Sequence, residues 1–329
     1  MEGAADVGLS QMTRRDLLKA SLAAGAALPL ACARPQGAPT SQAGIPQRVM
    51  GKTGVPVTLL GLGCAWIAKD PQTQTRAIVE AALDSGVRYF DTAPNYERSE
   101  ENLGRLLAGV RHEVFLVTKL DHVGAREAEA GLRQSLKRLK TDHVDLLLLH
   151  GVGLPNGWDD VERILGRDGV LACLRKAKRD GLTRFIGMSV HPPHGAALKL
   201  LDRADDLDVA MPFINPLAAA GADLALAARC HRMGMGLAAM KVLGGDGQLA
   251  SDYDRAFRYP LSVPGVACAV IGARKAEEVR RAARAAREFR PLSAAELRHA
   301  TQAGARLIAS HSREYVLLRS HFARDAGTA

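Results

Sequence analysis

The chain has 329 residues, of which 47% are apolar and 4% aromatic, so it is long enough for one large α/β domain or two smaller ones. Its formal net charge is +9, and much of the basic excess lies in residues 274–290, a stretch predicted to be helical. No interleaved aromatic residues or binding motif accompany this charge, which argues against nucleic acid as a partner and favours a solvated helix face.

Residues 1–33 have the features of a twin-arginine signal peptide. The paired arginines Arg14 and Arg15 precede an apolar stretch, residues 20–30, that is much shorter than the ~20 residues of a membrane span. Residues 31–33, Ala-Cys-Ala, offer a small-x-small cleavage site. Because the segment resembles a Tat signal, we expect the Tat export machinery to carry the folded precursor to the periplasm, with no stable transmembrane span.

Three alternatives for the N-terminus stay open. Met12 could be the true start, because the signal reads naturally from there. Cys32 could carry a lipid anchor, although Pro29 stands where the lipidation motif expects Leu. If the segment does not act as a signal, the protein is cytoplasmic and has an apolar N-terminal helix.

A regular alternation of predicted strands and helices follows the signal. Residues 34–47 are rich in Pro, Gly, Ser and Gln, which is typical of a linker. Beyond them, short continuous apolar runs alternate with segments of helical pattern. Strands are predicted at 55–63, 87–91, 113–119, 143–150, 183–189, 207–215, 235–240 and 266–272. Helices are predicted at 72–86, 99–109 with Ser99 as its cap, 126–140, 158–181 in one or two pieces, 195–204, 222–234, 251–262 and 275–289.

This order predicts an α/β fold with a single parallel sheet. Continuous apolar strands are expected when both faces of the sheet are buried, and strict alternation implies right-handed parallel crossovers. Eight such units close most naturally into a (β/α)8 TIM barrel, here over residues 48–290. A doubly wound sheet is disfavoured, because "GLGCAW" at 61–66 fails the G-x-G-x-x-G pattern. Residues 291–329 are predicted to form a C-terminal helical segment and tail.

The cysteines of the predicted barrel show no metal-ligand spacing. They lie far apart in apolar contexts and read as small buried hydrophobic residues, so we expect no metal site. They are Cys64, Cys173, Cys230 and Cys268.

Polar side chains end three successive predicted strands. Asp91 ends the second strand with Tyr96 just beyond it, Lys119 ends the third, and His150 ends the fourth. Because the C-terminal ends of barrel strands meet at one rim, we expect these four side chains to lie close together.

The four groups make chemical sense as a set. A phenol with a pKa near ~10 is a poor proton donor at neutral pH, and we expect the Lys119 ammonium to lower that pKa. Asp91 can pair the ammonium, which is otherwise unfavourable to bury, and His150 can donate a hydrogen bond to a carbonyl oxygen. The set predicts a general acid for carbonyl reduction, with hydride supplied by a cofactor.

The sequence resembles the aldo-keto reductase family over about residues 47–290. The matching segments are "FDTAPNY…SEENLG", "VTK", "LLLLH", "IGMS" and "MKVLGG", in the family's order and spacing. The resemblance implies that Tyr96 is the general acid/base, that Lys119 and Asp91 tune it, and that His150 orients a small-molecule carbonyl or alcohol. It also implies NADP(H), or else NAD(H), bound extended across the barrel rim.

The resemblance further implies a set of cofactor-binding residues. Ser189 matches the serine that holds the nicotinamide amide, and Met240 stands where an aromatic residue commonly stacks on nicotinamide. Usual polar residues are replaced by Val190, Met211 and Ala282, and the carboxylate of Glu278 leaves the choice between NADP and NAD open. The remaining cofactor positions are Leu243, Gly244 and Gly245 over the pyrophosphate, and Gly272, Arg274, Lys275 and Glu278 near the adenosine phosphate.

Substrate contacts are predicted for Trp66, His191 and Trp158, which follow strand ends. The main functional hypothesis is an NAD(P)H-dependent carbonyl reductase or alcohol dehydrogenase. The alternative is a nucleotide-binding module that senses redox state or docks to a partner with little turnover.

Overall fold

The structure is a computed structural model, and it describes residues 44–67, 72–217, 222–244 and 247–310. The predicted signal peptide, most of the predicted linker and the tail beyond residue 310 lie outside the described residues. Within the described ranges, no helix combines the length and the apolar character needed to cross a membrane.

Eight parallel strands close into a barrel, which confirms the predicted (β/α)8 TIM fold. Each barrel strand pairs with its neighbours in sequence order, and the last closes on the first. A two-stranded antiparallel hairpin precedes the barrel. The strands are β1 (Gln47–Val49), β2 (Pro56–Thr58), β3 (Leu60–Gly63), β4 (Tyr89–Asp91), β5 (Phe115–Leu120), β6 (Val144–Val152), β7 (Thr183–Val190), β8 (Val209–Pro212), β9 (Gly236–Ala239) and β10 (Val266–Gly272).

Helices separate the strands and cover the outside of the barrel. The predicted segment 158–181 forms two helices, and a C-terminal helix follows the last barrel unit. The α-helices are α1 (Gln72–Asp84), α2 (Ser99–Leu106), α3 (Ala125–Leu139), α4 (Val161–Leu165), α5 (Val170–Arg179), α6 (Gly195–Leu201), α7 (Ala222–Arg232), α8 (Tyr253–Leu261), α9 (Ala276–Arg287) and α10 (Ala294–Ser310).

Apolar side chains fill both faces of the sheet. One cluster lies inside the barrel, where the rings of Tyr89 and Phe115 stack with their centroids 5.4 Å apart. A larger cluster lies between the strands and the helices. All six residues of β5 and all nine of β6 are buried, which explains why these strands read as continuous apolar runs. The predicted burial of the four barrel cysteines is confirmed.

The hairpin corrects two sequence-based boundaries. The predicted strand 55–63 is wrong as a single element, because the chain bends at Leu59: β2 pairs with β1, and only β3 enters the barrel. The predicted linker ends early, because Ile45 is already buried in the core. Met50 is fully buried in the interior cluster, and the Lys52 N–H donates to the Gly234 oxygen, 2.6 Å away. The hairpin therefore covers the N-terminal end of the barrel and leaves the opposite rim for the polar strand ends.

Candidate active site

The ends of β4 and β5 bring the predicted carboxylate, phenol and ammonium together. Lys119 Nζ lies 2.9 Å from Asp91 Oδ1, and it donates to Asp91 Oδ2 at 3.0 Å and to the Thr92 carbonyl oxygen at 2.7 Å. It also donates to the Tyr96 hydroxyl at 3.5 Å. The ammonium is almost completely buried, so these oxygens replace its water shell.

Two hydroxyl groups hold the loop that presents Tyr96. Thr92 Oγ1 donates to Ser99 Oγ at 2.8 Å, and Ser99 Oγ donates to the Cys64 carbonyl oxygen at 2.9 Å. The prediction that Ser99 caps its helix is wrong, because Arg98 occupies the cap position and Ser99 is the first helical residue. Its hydroxyl bonds to the strand-end loops instead, which keeps the phenol beside the ammonium.

Burial and charge act in opposite directions on these groups. Burial raises the pKa of Asp91, while Lys119 acts to lower it. For Lys119, burial alone would lower the pKa, but Asp91 and Tyr96 together hold it above its ordinary value, so the amine stays charged. Burial raises the pKa of Tyr96 above its ordinary value, although Lys119 opposes this shift. The expected effect of Lys119, which is to lower the Tyr96 pKa, is therefore confirmed in direction, but desolvation is larger and the net pKa of Tyr96 lies above its ordinary value.

His150 completes the group from the end of β6. Its ring meets the Tyr96 ring edge-on, with the centroids 5.9 Å apart. Its Nδ1 is hydrogen-bonded to the carboxylate of Asp121, a residue that the sequence reasoning missed. Burial lowers the pKa of His150, while Asp121 acts to raise it. The missed signal was a second acidic group directly after β5, just beyond Lys119.

The Ser189 hydroxyl supports the backbone on both sides of His150. Ser189 Oγ accepts a hydrogen bond from the Gly151 N–H at 2.9 Å and lies 3.3 Å from the Leu149 carbonyl oxygen, to which it donates. The pairing of β6 with β7 shifts register between Leu149 and Val152, so His150 lies in an irregular strand end. The predicted contact of Ser189 with the nicotinamide amide stays a prediction, since both bonds shown here go to the main chain of β6.

His191, Phe213 and Met240 directly follow β7, β8 and β9 at the same end of the barrel as the tetrad. The His191 side chain is buried against Phe213, with the ring centroids 4.7 Å apart. Burial, with nearby cations that include Lys241, holds the pKa of His191 well below its ordinary value, so the ring is neutral. Met240 is half-buried, and its N–H donates to the Pro212 oxygen at 3.0 Å. A neutral His191 ring packed on Phe213 therefore lies within electrostatic range of His150 and Lys119.

A cleft of about 330 Å³ opens beside the ends of β3 and β10. In it the Arg274 guanidinium lies over the Trp66 ring, 3.8 Å from the centroid, and the Arg281 guanidinium lies over the Tyr253 ring at 4.1 Å. Sequence reasoning placed Trp66 at the substrate and missed both Tyr253 and Arg281. The cleft is lined by Gly63, Ala65, Trp66, Lys241, Val242, Leu243, Gly247, Ala250, Tyr253, Val270, Ile271, Gly272, Arg274, Glu278 and Arg281.

Comparison with known proteins assigns this arrangement to a family. A model described as "Aldo/keto reductase family" matches residues 59–257, more than half of the chain. The chain belongs to the aldo/keto reductase family.

Three relatives illustrate the range of similarity. The aldo-keto reductase of Mycolicibacterium vanbaalenii is 37% identical over 184 residues, which are 54% of this chain and 59% of that protein. The structure of PA4992 from Pseudomonas aeruginosa has a TM-score of 0.63 and 28% identity, covering 74% of this chain and 95% of that one. The Klebsiella pneumoniae aldo/keto reductase in complex with NADP and acetate has a TM-score of 0.64 and 23% identity, covering 78% and 95%.

These similarities differ in what they show. The chain spans about half the length of the curated relatives that it matches. At its low identity, the Klebsiella pneumoniae structure shows the fold alone.

The cleft of this aldo/keto reductase has features that fit an anionic dinucleotide. A Cβ atom on Gly272 would lie 2.7 Å from Trp66 Cδ1, so only glycine allows the indole to approach. Gly244 and Gly247 have φ values of +90° and +87°, which also favour glycine. An arginine that stacks on a ring still presents N–H groups at its edge, where a phosphate can bind.

The other predicted cofactor residues have defined positions in this family member. Glu278 Oε2 accepts a hydrogen bond from the backbone N–H of Arg274 at 2.7 Å, so this carboxylate holds the loop before α9. Lys275 occupies the cap position of that helix. Leu243 lines the cleft, and Gly245 lies outside the described residues.

Trp158 is a poor candidate for a substrate contact. Only 3% of the residue is exposed, and it belongs to the apolar cluster between the strands and the helices. Its carbonyl oxygen accepts a hydrogen bond from the Gly153 N–H at 2.9 Å. The structure therefore favours a packing role for this tryptophan over the predicted ligand contact.

Proposed function

We propose that this protein is an NAD(P)H-dependent aldo/keto reductase that transfers hydride between nicotinamide and a small carbonyl or alcohol. The observation that carries the proposal is the position of the Lys119 ammonium, 2.9 Å from Asp91 Oδ1 and 3.5 Å from the Tyr96 hydroxyl. A protonated phenol beside a fixed ammonium is a general acid next to the charge that stabilises its conjugate base.

Each side chain has a distinct task in this reaction. When bound, NADPH supplies the hydride, which the side chains cannot. Tyr96 donates its proton to the carbonyl oxygen, and Lys119 stabilises the phenolate that remains. Asp91 keeps the ammonium charged in a buried site. His150 lies edge-on to the phenol and orients the substrate oxygen. In alcohol oxidation the phenolate accepts the proton.

The charges of the cleft favour NADP(H) as the cofactor. Arg274 and Arg281 are both exposed and both stack on aromatic rings, so their guanidinium edges can meet a 2′-phosphate. The Glu278 carboxylate also lines the cleft, and its negative charge would repel a 2′-phosphate, so NAD(H) stays as the weaker alternative.

Nucleotide binding and turnover test the proposal together. The purified protein is titrated with NADPH and NADH by fluorescence, and reduction of simple aldehydes is assayed for the wild type and for Tyr96→Phe. We expect the variant to bind NADPH like the wild type and to lose about 10²- to 10⁴-fold in kcat. Tight binding without turnover of any carbonyl by the wild type would contradict the enzyme and support the redox-sensing or partner-docking module.

We also propose that the Tat machinery exports the precursor and that the barrel acts in the periplasm. The paired Arg14 and Arg15 support this, as do the short apolar stretch at residues 20–30 and the Ala-Cys-Ala sequence at residues 31–33. Replacing both arginines with Lys should leave the precursor inside the cell, and unaltered export would refute the proposal. The mature N-terminal mass would then show whether cleavage occurs near residue 33 and whether Cys32 carries a lipid.

A further inference from the structure

We propose that Asp121 is a positioning residue that holds the neutral His150 ring as its Nδ1–H tautomer. The Nε2 atom of His150 then has no proton of its own, and it must take up a proton before it can donate a hydrogen bond to a carbonyl oxygen. This inference rests on the proposed reductase function, because it assigns a role to a residue that acts through His150.

The strand register places the two side chains next to each other. Residues Lys119 and Leu120 of β5 pair with Leu148 and Leu149 of β6, so Asp121, directly after β5, lies level with His150 in β6. The His150 Nδ1 is hydrogen-bonded to Asp121 Oδ1, and the His150 side chain is 4% exposed against 19% for Asp121. An ionised carboxylate can only accept, so the proton of this bond belongs to Nδ1.

The backbone around His150 is held independently of Asp121. Ser189 Oγ accepts from the Gly151 N–H and donates to the Leu149 carbonyl oxygen, which fixes the chain on both sides of the ring. Removal of the Asp121 carboxylate should therefore change the proton position on the ring more than the position of the ring.

The charged and titratable groups around His150 decide which state prevails. Burial has the largest effect and lowers the pKa of His150. Lys119 also lowers it, whereas Asp121 and Asp91 raise it. The net pKa lies below the ordinary value of about 6.5, so the ring is largely neutral at pH 7. The groups that face the ring are Asp121, Lys119, Asp91, Tyr96 and His191.

The tautomer gives the two reaction directions different requirements. A neutral ring with its proton on Nδ1 has only a lone pair on Nε2, which accepts a hydrogen bond from an alcohol substrate. Once a solvent proton binds to Nε2, the imidazolium donates to a carbonyl oxygen while Nδ1–H still donates to Asp121. Reduction should therefore be favoured at lower pH and alcohol oxidation at higher pH, beyond what Tyr96 alone would produce.

Nuclear magnetic resonance of histidine side chains tests the tautomer without any need for turnover. The chain contains 10 histidines, so the His150 signals are assigned by their loss in His150→Gln. We expect wild-type protein above the His150 pKa to show a protonated Nδ1 and an unprotonated Nε2. In Asp121→Asn the Nε2–H tautomer should gain population, and Asp121→Glu should retain the wild-type pattern.

A second Asp–His pair in the chain provides a matched control. The Asp142 carboxylate lies 2.7 Å from His143 Nδ1 on the surface, where the Asp142 side chain is 93% exposed. Asp142→Asn should leave the His150 signals and the pH profiles unchanged.

The pH dependence of kcat for aldehyde reduction supplies the functional readout. Wild-type kcat should fall by up to about tenfold per pH unit above the His150 pKa. Asp121→Asn should lose this dependence, because its neutral ring can donate from Nε2.

Two results would overturn the inference: a wild-type ring protonated on Nε2, or an unchanged tautomer in Asp121→Asn. If neither variant folds, a wild-type spectrum with Nε2–H still decides against it. If the histidine spectra are as expected but the protein turns over no carbonyl, the reductase proposal is wrong and the tautomer assignment stands.

Discussion

The Arg274 guanidinium lies over the indole of Trp66, with its central carbon 3.8 Å from the ring centroid. This contact joins the loop after β10 to the loop after β3, two segments that adjoin because these strands pair. A guanidinium held on an aromatic face loses little further freedom when its edge binds phosphate. The pair therefore presents a preorganised cation at one end of the cleft.

Removal of this cation should weaken NADPH binding selectively. Charge-assisted hydrogen bonds contribute about 1.5–3 kcal/mol, so Arg274→Ala should raise the Kd for NADPH about 10- to 100-fold. NADH, which lacks the 2′-phosphate, should bind nearly as before. Fluorescence titration with both nucleotides checks this. An equal loss for both would show that Arg274 does not contact the 2′-phosphate.

The barrel could be predicted from the sequence because the same strand-then-helix pattern repeats eight times along the chain. Every β-strand of the barrel is a short apolar run between helical segments, and chain order alone gives the closed sheet. The break at Leu59 could not be seen, because residues 55–63 form one apolar run and the bend depends on pairing between β2 and β1.

The site could be predicted only where a residue ends its own strand. Asp91, Lys119 and His150 satisfy that rule, and Tyr96 follows closely. Asp121 was missed because its importance depends on the register between β5 and β6, which the sequence does not show. The Arg281–Tyr253 contact joins the consecutive helices α8 and α9 across β10, so no pattern within one element marks it.

Removal of the Asp91 charge should destabilise the fold strongly. Lys119 is buried, with a side chain 1% exposed, and Asp91→Asn would leave its ammonium without a carboxylate. Loss of one partner from a buried pair costs about 3–5 kcal/mol of unfolding free energy. Urea denaturation measures the change.

The exposed pair Arg76–Glu80, with side chains 65% and 54% exposed, is the control, and Glu80→Gln should change stability by about 0.5 kcal/mol or less. Equal losses in both variants would argue against a buried ammonium.

Removal of the Lys119 charge should weaken Tyr96 as an acid. Burial raises the Tyr96 pKa and Lys119 opposes the rise, so Lys119→Met should shift the pKa further upward. The phenol would stay protonated at neutral pH but donate less readily, and kcat for reduction should fall about 10²- to 10⁴-fold. Alcohol oxidation needs the phenolate, so its rise with pH should move to higher pH in the variant. Rate profiles in both directions test this, and an unshifted oxidation profile would count against Lys119 as the tuning group.

The Ser189 hydroxyl allows a choice between two roles. If it supports the His150 backbone through Gly151 and Leu149, Ser189→Ala should lower kcat and leave the Kd for NADPH nearly unchanged. Loss of the bond that satisfies the buried Gly151 N–H should also cost about 1–3 kcal/mol of unfolding free energy. If the hydroxyl instead holds the nicotinamide amide, the Kd for NADPH should rise and the unfolding free energy should change little. Parallel titration, turnover and urea denaturation separate the two outcomes. Ser189→Thr, which keeps the hydroxyl, should restore most of the lost function if the buried site admits the extra methyl group, and its unfolding free energy reports whether it does.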